Sequence, residues 1–171
     1  DEDIKKLLGN LYITVLPAGA VTSGELASYV INNIYKKYDI AVGNGGTLFE
    51  IAYQQNKTEA FYKYARDIGF NLIEISNGVI SLSAEQKAEA IRCAREKGFT
   101  VISEVGKKEP LEDNKLSLQD RIAEARSDLS AGASRVIIEA REAGKSLGIY
   151  DDTGGVKEDI AQSLEREIGS E

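Results

Sequence analysis

The sequence contains no histidine and no methionine, and its single cysteine is Cys93. Without histidine, a serine–histidine triad, a cysteine–histidine pair and the usual zinc ligand sets are excluded, so acid–base chemistry falls to lysine, glutamate, aspartate or tyrosine. One cysteine cannot form a disulfide within the chain. Because methionine is absent, we expect the sequence to be trimmed, processed or part of a longer chain.

Positive charge is also scarce, because 21 lysine and arginine residues stand against 28 acidic residues and the formal net charge is -7. The resulting field repels nucleic acid and anionic lipid, so a phosphate-binding site must be a local basic pocket. No segment approaches the about eighteen consecutive apolar residues of a membrane span, and the first ten residues lack the features of a secretory signal. These absences predict a soluble, cytoplasmic protein that binds neither nucleic acid nor membrane.

The chain has 171 residues, of which 42% are hydrophobic, and this predicts one α/β domain over 1–171. Short β-branched runs alternate with amphipathic segments, which is typical of repeated βα units around a parallel sheet. The runs start 28 to 35 residues apart, enough for one strand, one helix and two loops. The predicted strands are 11–16, 39–42, 71–76, 100–104 and 135–140.

Two architectures fit five such strands. In the first, the chain contributes five to six βα units of a (β/α)8 TIM barrel, which needs roughly 250 residues when complete. In the second, the strands form a five-stranded doubly wound parallel sheet. Composition does not choose between them. An incomplete or trimmed barrel would leave open sheet edges, which further chain or a second copy in a homo-oligomer would cover.

The predicted helices are marked by their ends. Ser83 is followed three residues later by Gln86, which is a capping box, and a second helix over 117–129 is stopped by Gly132. A third helix is predicted over 22–37. A charged loop follows the fourth strand, at the carboxyl end where parallel α/β folds place their binding sites.

Three successive predicted strands end in a glutamate, namely Glu74, Glu104 and Glu139. A carboxylate buried in an apolar strand is unfavourable unless a cation or hydrogen-bond donor compensates it. One interpretation is a structural ring of ion pairs, and the other is a shared site for Mg²⁺ and an anionic substrate, which clustered charge at strand ends favours. The two are not exclusive. The cations nearest in sequence are Lys107, Lys108 and Arg141.

Gly45, Gly46 and Thr47 follow a predicted strand and precede a helical segment. The exposed amides of such a turn can hold an anion at a helix N-terminus, and the same two glycines can equally form a tight turn with no ligand. A different segment, 139–146, resembles a nucleotide P-loop that includes Lys145. It lacks the first glycine of that motif and the helix that should follow it, so we do not expect a P-loop.

Five motifs, in order and in register, resemble those of the phosphosulfolactate synthase family. Their order and spacing match from about residue 45 to residue 159, roughly two thirds of the chain. The motifs are GGTLFE at 45–50, IEISNG at 73–78, SEVGKK at 103–108, DLSAGASRVIIEARE at 128–142 and GVKED at 155–159.

The resemblance implies a (β/α)8 barrel and a carbon–sulfur lyase that adds sulfite to phosphoenolpyruvate with Mg²⁺, giving (2R)-3-phosphosulfolactate on the way to coenzyme M. It implies that Lys108 is the acid that protonates the substrate carbon and that Glu104 is the second catalytic residue. Glu74 and Glu139 are then the candidate metal ligands. The candidate substrate-binding residues are Gly45, Gly46, Thr47, Lys107, Arg141 and Lys145.

Some positions depart from the family pattern. The segment ITVLPAG at 13–19 stands where the family has KFGWGTS, so the family lysine falls on Ile13. Asn44 replaces a proline, and Asn77 replaces an aspartate. The family also includes heat-stress-associated relatives, so the alternative is a catalytically silent member that acts as a stress-related scaffold or anion-binding module.

Overall fold

A computed structural model describes residues 12–15, 28, 31–139 and 149–169. It contains five strands, and each of the five predicted strands is confirmed. The second strand starts two residues later than predicted, because Asp39 has a left-handed backbone (φ 56) and closes a short 3-10 turn. The strands are β1 (Tyr12–Val15), β2 (Ala41–Asn44), β3 (Leu72–Ile75), β4 (Thr100–Val105) and β5 (Arg135–Ile138).

The five strands form one parallel sheet in the order β1-β2-β3-β4-β5. A doubly wound sheet reverses its strand order at a switch point, whereas successive units of a (β/α)8 barrel lie side by side in chain order. The prediction of an α/β fold is therefore confirmed, and the described sheet has the barrel's strand order. Closure into a full barrel needs further strands and stays a prediction.

Six α-helices lie within the described residues. The predicted capping box is confirmed, since the Gln86 amide donates to Ser83 Oγ at 3.2 Å and the Ser83 amide donates to Gln86 Oε1 at 2.8 Å. Gly132 (φ 111) ends the following long helix, as predicted. The helices are α1 (Gly46–Gln54), α2 (Thr58–Ile68), α3 (Ala84–Glu96), α4 (Pro110–Asp113), α5 (Leu118–Ala131) and α6 (Glu158–Ile168).

Two predicted segments differ in detail. The charged loop after β4 contains the one-turn helix α4, which begins at Pro110 because proline suits the first helical position. The helix predicted over 22–37 is described only in its last part, which is a π-helical turn (Ile31–Tyr35) followed by a 3-10 turn (Lys36–Tyr38). Its beginning lies outside the described residues.

The helices cover one face of the sheet and bury its apolar side chains. Phe49 of α1 and Ile91 of α3 are buried in one cluster with Ile73, Ile75 and Val101 of the strands. Strand side chains alternate between the two faces of the sheet. Glu74, which lies between Ile73 and Ile75, therefore points to the opposite face, and so does Glu104, three residues after Val101. That face carries the three glutamates. No helix in the described part of the chain is long and apolar enough to cross a membrane.

Candidate active site

The register of the sheet places Glu74, Glu104 and Glu139 on one face. Glu74 of β3 lies beside Ile102 of β4, and Glu104 lies beside Ile137 of β5. Glu104 lies two residues beyond Ile102 on β4, and Glu139 lies two residues beyond Ile137, just after β5. The three side chains are therefore staggered along the carboxyl edge of the sheet. The register therefore places the three strand-end carboxylates on one face at one edge of the sheet, and their roles stay predictions.

Glu74 connects the sheet to the start of α1. Its Oε1 accepts a hydrogen bond of 2.7 Å from the amide of Gly46, the first residue of the helix. A Cβ atom on Gly46 would lie 2.2 Å from Ser76 Oγ and 2.8 Å from Glu74 Oε1, so only glycine allows this contact. Burial raises the pKa of Glu74, while the Gly46 amide and Lys108 lower it in part. The amide predicted to hold a substrate anion thus holds a carboxylate of the same chain.

Glu104 is the most perturbed carboxyl group in this cluster. Burial is the largest cause and raises its pKa to about 7. The positive charge of Lys108 lowers the pKa, and the carboxylates of Glu139, Glu74 and Glu50 raise it. Its Oε1 is buried and has no hydrogen-bond partner among the described residues. A carboxyl group with a pKa near neutrality can be present as an acid or as a base at physiological pH.

Lys108 brings the positive charge to this cluster. Its Nζ donates a 2.8 Å hydrogen bond to Thr47 Oγ1, across from the start of α1. A Cβ atom on Gly78 would lie 3.1 Å from Glu104 Oε1 and 3.2 Å from Lys108 Cε, so this carboxylate and the lysine side chain border the same space. The Lys108 ammonium lowers the pKa values of Glu74 and Glu104. The structure therefore places Lys108 beside Thr47 and near the strand-end glutamates, and the roles assigned to these residues stay predictions.

Lys107, the neighbouring lysine, has a different environment. Its Nζ donates to the carbonyl oxygens of Asn77, at 2.5 Å, and Ile80, at 3.3 Å. Burial lowers its pKa. Its amide donates to Asp113 Oδ1 at 2.8 Å, and Arg121 Nη2 donates to Asp113 Oδ2 at 2.7 Å. Lys107 thus links the loop after β3 to Asp113 of α4. Its role in binding a substrate anion stays a prediction.

Gly106 allows the backbone after β4 to approach Glu139, which follows β5. Its φ of 126° is unfavourable for any residue with a Cβ atom, and such an atom would lie 2.8 Å from Cβ of Glu139. Glu139 itself is held by a 2.9 Å hydrogen bond from its amide to the carbonyl of Val105. Arg141 and Lys145, the other predicted substrate-binding residues, lie outside the described residues.

Three buried polar residues that shape the site were not selected from the sequence. Asn44 donates to the carbonyl oxygen of Glu74 at 3.1 Å and accepts from its amide at 3.2 Å, which joins β2 to β3. Lys87 of α3 donates to the carbonyl oxygen of Glu104 at 2.8 Å. Glu50 of α1 binds the loop after β3. Asn44 and Glu50 adjoin or belong to the GGTLFE motif, whereas nothing in the sequence distinguishes Lys87 from a surface lysine.

The carboxylates are suited to a divalent cation such as Mg²⁺, although no three acidic or cysteine side chains in the described ranges form a ready-made metal-binding group. Mg²⁺ is usually held by one or two carboxylates, with water and substrate oxygens as its other ligands. Glu104 offers a buried oxygen that lacks a hydrogen bond, and Glu74 retains one oxygen beyond its bond to Gly46. The donor set therefore fits the ion through Glu104 with Glu74 or Glu139.

The fold and this edge define a class: a βα-repeat protein with buried carboxylates and a lysine at the strand ends. The family model for (2R)-phospho-3-sulfolactate synthase matches residues 13–171. The chain belongs to the phosphosulfolactate synthase family.

Curated relatives agree with this assignment. The chain is 46% identical to "Phosphosulfolactate synthase" of Methanothermobacter thermautotrophicus over 74% of its length, 41% to that of Methanocaldococcus jannaschii over 98%, and 36% to that of Bacillus subtilis over 75%. The matched parts span about half of the first and third relatives, 49% and 50%, and 67% of the second.

Solved structures show more distant likeness. A phosphoenolpyruvate phosphomutase from Streptomyces platensis subsp. rosaceus has a TM-score of 0.45 and 14% identity, covering 69% of this chain and 45% of that one. A deoxyribose phosphate aldolase from Aeropyrum pernix has a TM-score of 0.48 and 13% identity, covering 78% of this chain and 64% of that one. The strand order described above, and not these likenesses, defines the fold.

Proposed function

We propose that this protein adds sulfite to phosphoenolpyruvate, as a phosphosulfolactate synthase, with Mg²⁺ bound among the strand-end carboxylates. The observation that carries the proposal is the grouping of Lys108 and Thr47 with Glu74 and Glu104 at the carboxyl edge of the sheet. Family membership and three relatives named phosphosulfolactate synthase support it.

The proposed reaction forms one carbon–sulfur bond and transfers one proton. The sulfur lone pair of sulfite attacks the methylene carbon of phosphoenolpyruvate, and the electrons of the double bond move to the adjacent carbon and its carboxylate. A proton then adds to that adjacent carbon, so no bond to phosphate is broken. The overall change is addition of sulfite and one proton, which needs no oxidant or reductant.

Charge stabilisation is the first requirement of this chemistry, because negative charge grows on the substrate carboxylate during the attack. A bound divalent cation would supply that stabilisation and would offset the repulsion among the glutamates. Glu104, with Glu74 or Glu139, would hold the ion. The same three carboxylates, without a cation, would repel an anionic substrate.

Protonation is the second requirement, and Lys108 is the proposed acid. Its ammonium has three protons, of which Thr47 accepts one in the described arrangement at 2.8 Å. A second proton can be directed at the substrate carbon while the bond to Thr47 orients the group. Lys108 would then recover its proton from solvent. Arg141 and Lys145 are proposed to bind the phosphate and sulfite oxygens, and Arg141 can do so with two parallel hydrogen bonds.

The test is sulfite-dependent loss of phosphoenolpyruvate, measured with the full-length protein at high concentration. We expect product with Mg²⁺ and none after chelation, and added Mg²⁺ should restore the reaction. Phosphoenolpyruvate binding without any sulfite-dependent product would instead support the silent, anion-binding member of the family. That result would contradict the proposed activity, since family resemblance alone does not guarantee chemistry.

A further inference from the structure

The loop after β3, residues 76–80, is gathered around one buried carboxylate. Oε1 of Glu50 accepts from Ser76 Oγ at 2.5 Å and from the amide of Gly78 at 3.2 Å, and Oε2 accepts from the amides of Val79 and Ile80 at 2.7 Å each. Three consecutive amides therefore converge on Glu50, which lies on α1. We call residues 76–80 the β3 loop.

The other side of the β3 loop holds the two lysines. Lys108 donates its amide to the carbonyl of Gly78 at 3.0 Å, and the Lys107 ammonium donates to the carbonyls of Asn77 and Ile80. A Cβ atom on Gly78 would lie only 3.1 Å from Cγ of Lys108, so the lysine side chain packs directly on the loop. The loop thus stands between Glu50 and Lys108.

Glu50 is buried beneath the loop that it binds. It is 1% exposed, and Ser76 and Asn77 of the loop are also buried, whereas Val79 is 65% exposed and adds little packing of its own. A buried carboxylate is tolerated when several donors replace its water, and Glu50 has four. The loop amides in turn need an acceptor, because they are not paired in a helix or a sheet, and the Glu50 carboxylate is that acceptor.

We propose that Glu50 is a positioning residue: its carboxylate fixes the β3 loop and thereby holds Lys108 beside Thr47 and the strand-end carboxylates. Glu50 would not touch substrate. The link to catalysis rests on the proposed function, but the fixing of the loop does not. The proposal therefore has consequences for hydrogen exchange that hold whether or not the protein adds sulfite.

The first arm measures amide hydrogen exchange. In the wild-type protein the amides of Val79 and Ile80 should exchange at least tenfold more slowly than expected for an exposed loop. In Glu50→Gln, one oxygen becomes an NH2 group, which leaves two loop donors without an acceptor. Exchange in the β3 loop should rise at least tenfold while β4 stays protected. Glu59→Gln, an exposed glutamate on α2, is the matched control and should leave both regions unchanged.

The second arm is rescue. Glu50→Ala leaves space for a small carboxylate, so formate should restore slow exchange in the β3 loop, and chloride at equal ionic strength should not. If the protein catalyses sulfite addition, kcat of Glu50→Gln should fall at least tenfold with KM within about threefold, and formate should raise kcat of Glu50→Ala.

Fast exchange of Val79 and Ile80 in the wild type would overturn the proposal, and this result decides it even if neither variant folds. Unchanged exchange in a folded Glu50→Gln protein would also overturn it. A general loss of protection that formate does not reverse would show that Glu50 only supports the fold. If exchange and rescue behave as expected but the protein does not add sulfite to phosphoenolpyruvate, the proposed function fails and the fixing of the β3 loop by Glu50 stands.

Discussion

Nζ of Lys108 lies 2.8 Å from Oγ1 of Thr47, although the two residues are 61 positions apart in the sequence. The contact joins the loop after β4 to the first turn of α1, which follows β2. It therefore crosses β3 and passes over the carboxyl edge where Glu74 and Glu104 lie. A lysine held in this way would be available to the substrate of the proposed reaction.

Replacing Lys108 with alanine tests its role as the acid. We expect kcat to fall by about 10² to 10⁴, the usual contribution of a positioned acid, and the affinity for phosphoenolpyruvate to stay within about tenfold. Lys115→Ala is the control, because Lys115 is an exposed lysine paired with Glu112. Steady-state kinetics and calorimetry measure both quantities. Wild-type turnover in Lys108→Ala would show that the proton comes from another group.

Thr47→Val tests the orientation of the same ammonium. Valine keeps the shape of threonine but removes the hydroxyl acceptor, and one hydrogen bond contributes about 1 kcal/mol, or roughly fivefold in rate. We expect kcat to fall by about that factor with KM little changed. Thr100→Val, at the opposite end of β4, is the matched control. Equal kinetics for the two variants would mean that the contact with Thr47 does not direct Lys108.

Glu104 should make the protein less stable as pH rises. Its pKa is about 7 in the folded state and about 4.5 when unfolded, so between these values the folded state binds more protons than the unfolded state. The free energy of unfolding then falls with rising pH, by at most about 1.4 kcal/mol per pH unit from this group. The free energy of unfolding is measured by urea titration with chelator present. Between pH 5 and pH 7 it should change less with pH in Glu104→Gln than in Glu59→Gln. The same slope in both variants would contradict the perturbed pKa.

Lys87→Met should destabilise the fold strongly. The buried ammonium of Lys87 contacts Glu124 at 2.6 Å and Asp128 at 2.7 Å, so its removal leaves carboxylates without their cation. Breaking a buried pair in this way typically costs about 3 to 5 kcal/mol. Lys63→Met, in an exposed pair with Asp67, should change stability by less than about 1 kcal/mol. A loss below about 1 kcal/mol in Lys87→Met, measured by urea unfolding, would show that this cluster contributes little.

The strands and the strand-end glutamates could be predicted because both depend on local pattern and on sheet geometry. Alternation fixes which side chains share a face, and parallel pairing brings the ends of consecutive strands to one edge. Glu74, Glu104 and Glu139 needed no other information. The capping box at Ser83 was also local, since Ser83 and Gln86 are three positions apart.

Glu50 and Lys87 could not be selected in the same way. Each is a charged residue on an amphipathic helix, where charge normally marks the solvent-facing side. Their burial is decided by partners 26 to 30 positions away for Glu50 and up to 41 away for Lys87. No periodic pattern encodes such contacts. The direction of Lys107, toward carbonyl oxygens of the β3 loop, was hidden for the same reason.

The most direct test of the account is to run the reaction in D2O. The full-length protein is incubated with phosphoenolpyruvate, sulfite and Mg²⁺, and the product is examined by NMR and mass spectrometry. We predict phosphosulfolactate with one deuterium on the carbon that bears the phosphate ester, formed by the wild type and, on the same time scale, not by Lys108→Ala. Absence of product from the wild type, or equal product from both proteins, would contradict the account.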